Sequence, residues 1–131
     1  MGKNTIRFTN DEKIIEAGQT EKRMYIILEG KVNVYLASGN ENIQVATMKP
    51  GDFFGEISLF TEHPRSATVQ AVGDVRLVYF DDINELKPFL ITNPHLAAKM
   101  VQVLTQRLAN TNDLLIGKIS EINRFKQTNT I

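Results

Sequence analysis

The chain has 131 residues, of which 42% are hydrophobic and 23% charged, and its 15 basic residues balance its 15 acidic ones. This is the size and composition of one globular domain, and it lacks the basic excess of a nucleic-acid-binding protein. The absence of cysteine excludes disulfides and cysteine-ligated zinc, and no apolar run suits a signal peptide or a membrane span. We therefore expect a cytoplasmic protein, or a cytoplasmic piece of one, folded as a single domain over residues 1–131.

Between about residues 12 and 81, short apolar and β-branched runs alternate with turn residues. Gly30 and Gly73 each stand between two such runs, residues 38–42 form a turn cluster, and Pro50 followed by Gly51 is typical of a type II turn. The pattern predicts a mainly β fold, a double-stranded β-helix (jelly roll) or a small barrel. The predicted strands are the runs KIIEAG, RMYIILEG, KVNVYLAS, NIQVATMK, SATVQAVG and VRLVYFDD.

Residues 82 to about 127 have a helical pattern instead. Asp81 and Asp82 can cap a short helix INELKPFL, and Pro94 precedes a long helix from His95 to about Lys126. The long helix carries an a/d seam, which predicts a coiled coil and a homodimer. The alternative is one amphipathic helix packed on the sheets. The seam positions are Ala97, Val101, Leu104, Leu108, Thr111, Leu115, Lys118, Ile122 and Phe125.

The stretch FGEISLFTEHPRSATV, from residue 54 to residue 69, carries the chemistry. Gly55 lets the backbone approach a ligand, and a helix that starts after it offers free N–H groups to an anion. Arg65 has forked donors that match phosphate, while Ser66 and Ala67 keep the opposite wall shallow. Glu56 suits a sugar hydroxyl. The stretch predicts an anion site beside a hydroxyl site, as a nucleotide monophosphate requires; the alternative is a surface ion pair between Glu56 and Arg65.

At these residues the sequence resembles the cyclic nucleotide-binding domain family, the regulatory fold of the bacterial catabolite activator protein and of cyclic-nucleotide-dependent kinases and channels. The phosphate-binding cassette of that family reads Phe-Gly-Glu, an aliphatic residue, a small residue and Leu, then Pro-Arg, a small residue and Ala-Thr-Val. Residues 54–59 and 64–69 match it at every position. The resemblance extends to the hairpin at residues 27–32, the turn at residues 50–52 and the long helix.

The resemblance implies a role for each site residue. Arg65 binds the cyclic phosphate, Glu56 binds the ribose 2′-hydroxyl, and backbone N–H groups of the cassette complete the phosphate shell. On the long helix, Thr111 contacts the adenine amino group, and Asn112 of the partner subunit contacts it from the other side, where serine is usual. The residues of the phosphate shell, besides Arg65, are Gly55, Ile57, Ser58 and Ser66.

The resemblance also implies the ligand. Threonine after the cassette arginine accompanies cGMP binding and alanine accompanies cAMP binding; Ser66 is the residue of the catabolite activator type, which binds cAMP. With Thr111 in the seam, cAMP is favoured and cGMP is the alternative. The usual N-terminal helices are almost missing and no helix-turn-helix follows the long helix, so we expect a stand-alone sensor or a regulatory domain whose effector is absent from this chain.

Catalysis has no support in the sequence. His63 and His95 fall in different segments, so the ligand cluster of a metal-dependent cupin is missing, and no Ser or Lys is flanked by a recognisable base. We expect no catalytic residue, no metal and no cofactor besides the nucleotide ligand. The remaining alternative is a structural or dimerisation domain that keeps the fold without binding nucleotide.

Overall fold

A computed structural model describes residues 4–56 and 64–128 of the chain, with side chains up to residue 124. The described chain divides into two compact units, one ending at Thr92 and the other beginning at Asn93. The single domain over residues 1–131 therefore stays a prediction. The elements are β1 (Thr5–Phe8), β2 (Lys13–Ile15), β3 (Met24–Ser38), β4 (Glu41–Met48), β5 (Phe53–Phe54), β6 (Thr68–Phe80), α1 (Ile83–Thr92) and α2 (Pro94–Thr128).

The strands of the first unit form one antiparallel hydrogen-bonded network. Its main path is β1-β6-β3-β4, while β2 pairs with β6 and β5 pairs with β3. The two long strands form its spine, because β3 and β6 pair from Met24↔Phe80 to Tyr35↔Thr68. A mainly β fold followed by helices, as the alternation of apolar runs predicted, is thus confirmed.

Two glycines lie inside long strands, where the sequence pattern predicted two separate strands on either side of each. Gly30 lies inside β3 with φ +88, and Gly73 lies inside β6 with φ +68. A Cβ at position 30 would overlap the carbonyl oxygen of Asp74 and meet Val75. The two strands approach each other so closely here that only glycine fits, and the register shifts on both sides of Glu29. These glycines bend long strands and do not end them.

Strand β1 was not predicted, because strand-like residues were expected only from Lys13 onward. It has four residues, TIRF, and its side chains alternate between exposed and partly buried. It pairs with the far end of β6, from Thr5↔Val78 to Phe8↔Val75. A segment this short gives little periodic signal of its own, and its place depends on the partner strand.

The core lies against the first half of β3. The four consecutive residues from Met24 to Ile27 are all buried, so both faces of the strand are covered there. Full burial of one such side chain contributes about 1.5–3 kcal/mol. The strand end that adjoins the predicted cassette is therefore covered on both faces. Its other buried neighbours include Phe53, Phe54, Val69, Val75 and Leu77.

The predicted cap of α1 is confirmed. The Asp82 side-chain oxygen accepts a hydrogen bond from the Glu85 backbone N–H at 3.0 Å, and the Glu85 carboxylate accepts one from Asp81 N–H at 2.7 Å. The second unit contains α2, 35 residues long, or about 50 Å at 1.5 Å per residue. No helix in the described ranges is both long and apolar enough to cross a membrane.

Candidate functional site

The cassette begins at a strand that is fixed to the core. In β5, Phe53 pairs with Ile26 and Phe54 pairs with Tyr25 of β3. The Tyr25 and Phe54 rings stack with their centroids 5.1 Å apart. The chain then turns at Gly55, whose φ is +84, a backbone conformation that glycine adopts without strain. The position of Gly55 is thus set by the buried end of β3.

Arg65 is held at both its main chain and its side chain. Its backbone N–H donates to Gln19 O at 2.7 Å, and its carbonyl accepts from Gly18 N–H at 2.8 Å. Its guanidinium donates from Nη1 to Gly55 O at 3.1 Å and from Nη2 to Arg23 O at 2.5 Å. Only 6% of the residue is exposed. The arginine therefore lies against the glycine that opens the cassette.

The guanidinium has more donors than its described partners use. Among residues 4–56 and 64–128, two of its five N–H groups donate to Gly55 O and Arg23 O. Burial lowers the pKa of Arg65, and the nearby Tyr25, Glu21 and Glu56 oppose that shift. An arginine stays charged at neutral pH even so. A buried cation with the forked donors of arginine is suited to binding an anion such as phosphate.

Glu56 is the second buried charge. It is 9% exposed and its backbone is helical, immediately after Gly55. Because Arg65 is also buried, the alternative of an ion pair on the surface is wrong. Two charged side chains at the margin of a core need compensating partners or a ligand.

The other predicted cassette residues have different surroundings. Ser66 is exposed and Ala67 is partly buried, directly after the buried Arg65. Ile57 and Ser58 lie outside the described residues. The structure thus brings Gly55, Glu56 and Arg65 into one place; the ligand roles of these residues stay predictions.

Thr111 and Asn112 lie on α2, in the second unit. Both are exposed, and the Thr111 hydroxyl donates to Arg107 O at 3.0 Å, one turn earlier in the helix. Such a bond leaves the hydroxyl oxygen able to accept from a further donor. Their predicted contact with an adenine base stays a prediction.

Arg23 is a residue of the site that the sequence did not reveal. Its carbonyl accepts from Arg65, while its own guanidinium binds both oxygens of Asp81, at 2.6 and 3.3 Å. The guanidinium carbon also lies 4.0 Å from the centre of the Tyr79 ring. The hydrogen bond that Arg23 donates to the Asp81 carboxylate raises the pKa of Arg23 above its usual value. Arg23 thus links the cassette arginine to the residue that precedes the cap of α1.

We expect Arg23→Ala to lower the free energy of unfolding by about 1 kcal/mol. The Arg23 side chain is 26% exposed, so solvent weakens its ion pair with Asp81. The paired hydrogen bonds to Asp81 and the contact with the Tyr79 ring increase the stabilisation that Arg23 contributes. The matched control is Arg76→Ala. It removes a single 2.7 Å contact with Glu29, which is 61% exposed, and we expect about 0.3 kcal/mol. Urea unfolding of both variants measures the difference; equal losses would contradict the anchoring role of Arg23.

Known proteins and a protein family share sequence with this chain. Residues 5–86 match the cyclic nucleotide-binding domain family. The chain belongs to that family. The CRP-like cAMP-activated global transcriptional regulator of Mycobacterium tuberculosis is 31% identical over 116 residues, covering 87% of this chain and 51% of that protein. The type II regulatory subunit of cAMP-dependent protein kinase from Drosophila melanogaster is 34% identical over 83 residues, covering 63% of this chain and 22% of that protein.

Solved structures confirm the jelly roll followed by a long helix. The Thermus thermophilus catabolite activator protein has a TM-score of 0.72 and 27% identity, over 88% of this cyclic nucleotide-binding chain and 54% of that one. The regulatory domain of Toxoplasma gondii PKA, solved with cAMP, has a TM-score of 0.59 and 27% identity, over 75% and 38% of the two chains. The chain spans about half the length of its Mycobacterium tuberculosis relative. It is a cyclic nucleotide-binding regulatory domain.

Proposed function

We propose that this domain binds cAMP and that Arg65 is the residue that holds the cyclic phosphate. The observation that carries the proposal is the buried guanidinium of Arg65. It is 6% exposed and anchored on Gly55 O and Arg23 O, and these two bonds to described residues use two of its five N–H donors. A desolvated cation attracts a phosphate more strongly than an exposed one, because the local dielectric constant is low.

The two hydrogen bonds of Arg65 also prepare it for the ligand. An anchored guanidinium loses less side-chain entropy on binding than a free one, whose ordering costs up to about 2 kcal/mol. Gly55, beside it, has no side chain to screen its backbone from the phosphate. We assign the rest of the phosphate shell to the backbone N–H groups of Gly55, Ile57, Ser58 and Ser66, with Ala67 in the wall beside them.

Glu56 receives the hydroxyl of the ligand. A buried carboxylate accepts hydrogen bonds and repels an anion, so it suits the ribose 2′-hydroxyl better than the phosphate. It is 9% exposed and adjoins Gly55 in sequence. A hydrogen bond from a hydroxyl to a charged acceptor contributes about 1.5–3 kcal/mol. This acceptor is the reason that we favour a ribonucleotide.

The choice of cAMP over cGMP rests on Ser66, Thr111 and the relatives. Two of them carry cAMP in their names, the Mycobacterium tuberculosis regulator and the Drosophila kinase subunit. We propose that Thr111 contacts the base and that Asn112 of the partner subunit does so too, in a homodimer. A cGMP-selective domain remains the alternative.

We further propose a regulatory role without catalysis, in which nucleotide binding biases α2 between two states. A ligand shifts such an equilibrium only by its differential affinity for the two states. The effector would lie outside this chain, as the names of a transcriptional regulator and a kinase subunit suggest. The cytoplasmic location predicted from the sequence is part of the same proposal.

Calorimetric titration of the chain with cAMP and cGMP tests the proposal. We expect cAMP to bind about tenfold more tightly than cGMP, the ratio given by one hydrogen bond of about 1.4 kcal/mol to the base. The control ligand is 5′-AMP, whose phosphate is open and more highly charged. Tighter binding of cGMP would favour the alternative ligand. If neither cyclic nucleotide produces heat or a thermal shift, the domain is a structural one and the proposal is wrong.

A further inference from the structure

A pocket of about 490 Å³ lies in the first unit, between the end of β6 and one face of α1. Its volume is in the range of pockets that bind small molecules. The Phe80 and Phe89 rings meet in its wall, with their centroids 5.0 Å apart and their planes tilted by 58°. The apolar lining residues are Val78, Phe80, Pro88 and Phe89, and the polar ones are Asn4, Glu85 and Thr92.

The strand wall of the pocket belongs to the core of the sheet. Val78 and Phe80 are buried, and they pair with Ile26 and Met24 of β3. Because these strands are already ordered, a ligand that enters against them does not have to order a loop first, a cost that weakens binding elsewhere. The cassette residues in the described ranges do not line this pocket. It is therefore separate from the predicted nucleotide site.

The helical wall of the pocket offers an apolar ring and an oxygen acceptor. Pro88 lies inside α1 and has no N–H, so its ring adds only apolar surface. The Thr92 hydroxyl donates to Pro88 O at 3.2 Å and to Phe89 O at 3.1 Å. A hydroxyl has one hydrogen, which these carbonyls share, so toward a ligand the Thr92 oxygen can serve only as an acceptor.

The charged group of the pocket is the carboxylate of Glu85. Its oxygen Oε2 accepts from the Asp81 backbone N–H at 2.7 Å and from the Asn4 side-chain amide at 3.4 Å. These two bonds orient the carboxylate, and its second oxygen, Oε1, can accept from a ligand. Glu85 is exposed, so its negative charge lies where the pocket meets solvent. The pocket thus combines an apolar interior with an anionic mouth.

We propose that this pocket binds an apolar small molecule that carries a protonated amine, with its rings against Phe80 and Phe89 and its ammonium group on Glu85. The carboxylate repels an anion, so a phosphate does not suit this pocket. An ammonium group has donors and no acceptor, and it matches the acceptor oxygens of Glu85 and Thr92. Its hydrogen bonds to a carboxylate are about twice as strong as those of a neutral group. The proposal does not depend on nucleotide binding.

Matched probes with the same two phenyl rings test the proposal: diphenylmethylamine is cationic, diphenylmethanol neutral and diphenylacetate anionic. Each is titrated without nucleotide into the isotope-labelled chain, and NMR follows the amide signals of Asn4, Glu85 and Thr92. We expect saturation by the amine with a Kd of about 1 mM, as the affinity per atom of such ligands implies. The alcohol should bind about fivefold more weakly, and the carboxylate should not saturate these signals.

Two variants with matched controls locate the site. Glu85→Gln removes the charge but keeps an acceptor for the Asp81 N–H, since glutamine also serves in a capping box. It should weaken amine binding about fivefold, to the level of the alcohol, whereas Glu41→Gln, at an exposed residue of β4, should not. Thr92→Trp should obstruct the pocket and weaken the amine at least about tenfold. Ile91→Trp, at a 78% exposed residue outside the lining, should leave binding unchanged.

Three results would overturn the proposal. Equal affinity for the amine and the alcohol would exclude recognition of the ammonium group by Glu85. Signal changes at Gly55 and Arg65, with none at Asn4, Glu85 and Thr92, would place the probe in the cassette. Changes at the pocket residues that follow protein concentration alone would mean that a second copy of the chain occupies the pocket. Failure of cAMP to bind would leave the expected amine titration unaltered, so the two proposals are tested separately.

Discussion

Arg65→Ala is expected to weaken cAMP binding at least a hundredfold. The substitution removes a buried cation, 6% exposed, that can give a phosphate two parallel hydrogen bonds. Loss of one partner from a buried, hydrogen-bonded charge pair costs about 3–5 kcal/mol. At about 1.4 kcal/mol for each factor of ten, this corresponds to a factor of a hundred to a few thousand in Kd. Calorimetry or competition with a fluorescent nucleotide measures it.

The fold must be checked in parallel, because Arg65 also has a structural role. Its guanidinium supplies donors to Gly55 O and Arg23 O, and these carbonyls lose a partner in the variant. We expect a loss of about 1–3 kcal/mol in stability, which urea unfolding and circular dichroism measure separately from binding. Arg65→Lys should lose less stability than Arg65→Ala. It should still bind cAMP weakly, because lysine lacks the planar fork of arginine.

Arg23→Ala is the matched control for charge. It too removes a guanidinium close to the site, but one already paired with Asp81 at 2.6 Å. We expect its cAMP affinity to stay within about threefold of the original, since an ion-paired side chain of this exposure contributes less than about 1 kcal/mol. If Arg65→Ala is folded and binds as well as Arg23→Ala, then Arg65 does not hold the phosphate.

Strands could be predicted from sequence where apolar and polar side chains alternate. They could not be predicted where a close approach of two backbones determines whether the strand continues. The apolar runs on either side of Gly30 were predictable, but their union into β3 was not. A glycine between two runs predicts a turn just as well as a bend, and only the closeness of Asp74 and Val75 distinguishes them. The four residues of β1 depend on β6 for their place, so no local pattern indicates them.

The cassette could be predicted because its chemistry belongs to side chains at fixed spacing. Gly55, Glu56 and Arg65 were chosen from sequence, and the structure places the arginine against the glycine with both charges buried. The role of Arg23 could not be predicted, because Arg65 bonds to its backbone carbonyl. Every residue has a backbone carbonyl, so the sequence does not indicate which carbonyl accepts the hydrogen bond from Arg65.

Gly55→Ala is expected to impair both stability and ligand binding. An added Cβ would lie 2.6 Å from Arg23 O and 2.8 Å from Arg65 Nη1, and φ at this residue is +84. The backbone conformation alone costs an alanine about 1–2 kcal/mol, and the crowding displaces the guanidinium from its anchor. We expect a loss of about 3 kcal/mol in the free energy of unfolding, in the range of the severe single substitutions.

Gly18→Ala separates the two causes of that loss. Its φ of +92 is nearly the same, but nothing lies within 4 Å of the added Cβ. We expect it to lose only the backbone contribution, about 1–2 kcal/mol, and to bind cAMP normally once folded. Gly55→Ala should bind at least tenfold more weakly under conditions in which both variants are fully folded, because only there is Arg65 displaced. Equal stability and equal affinity in the two variants would mean that the close approach of Gly55 to Arg65 is irrelevant to the site.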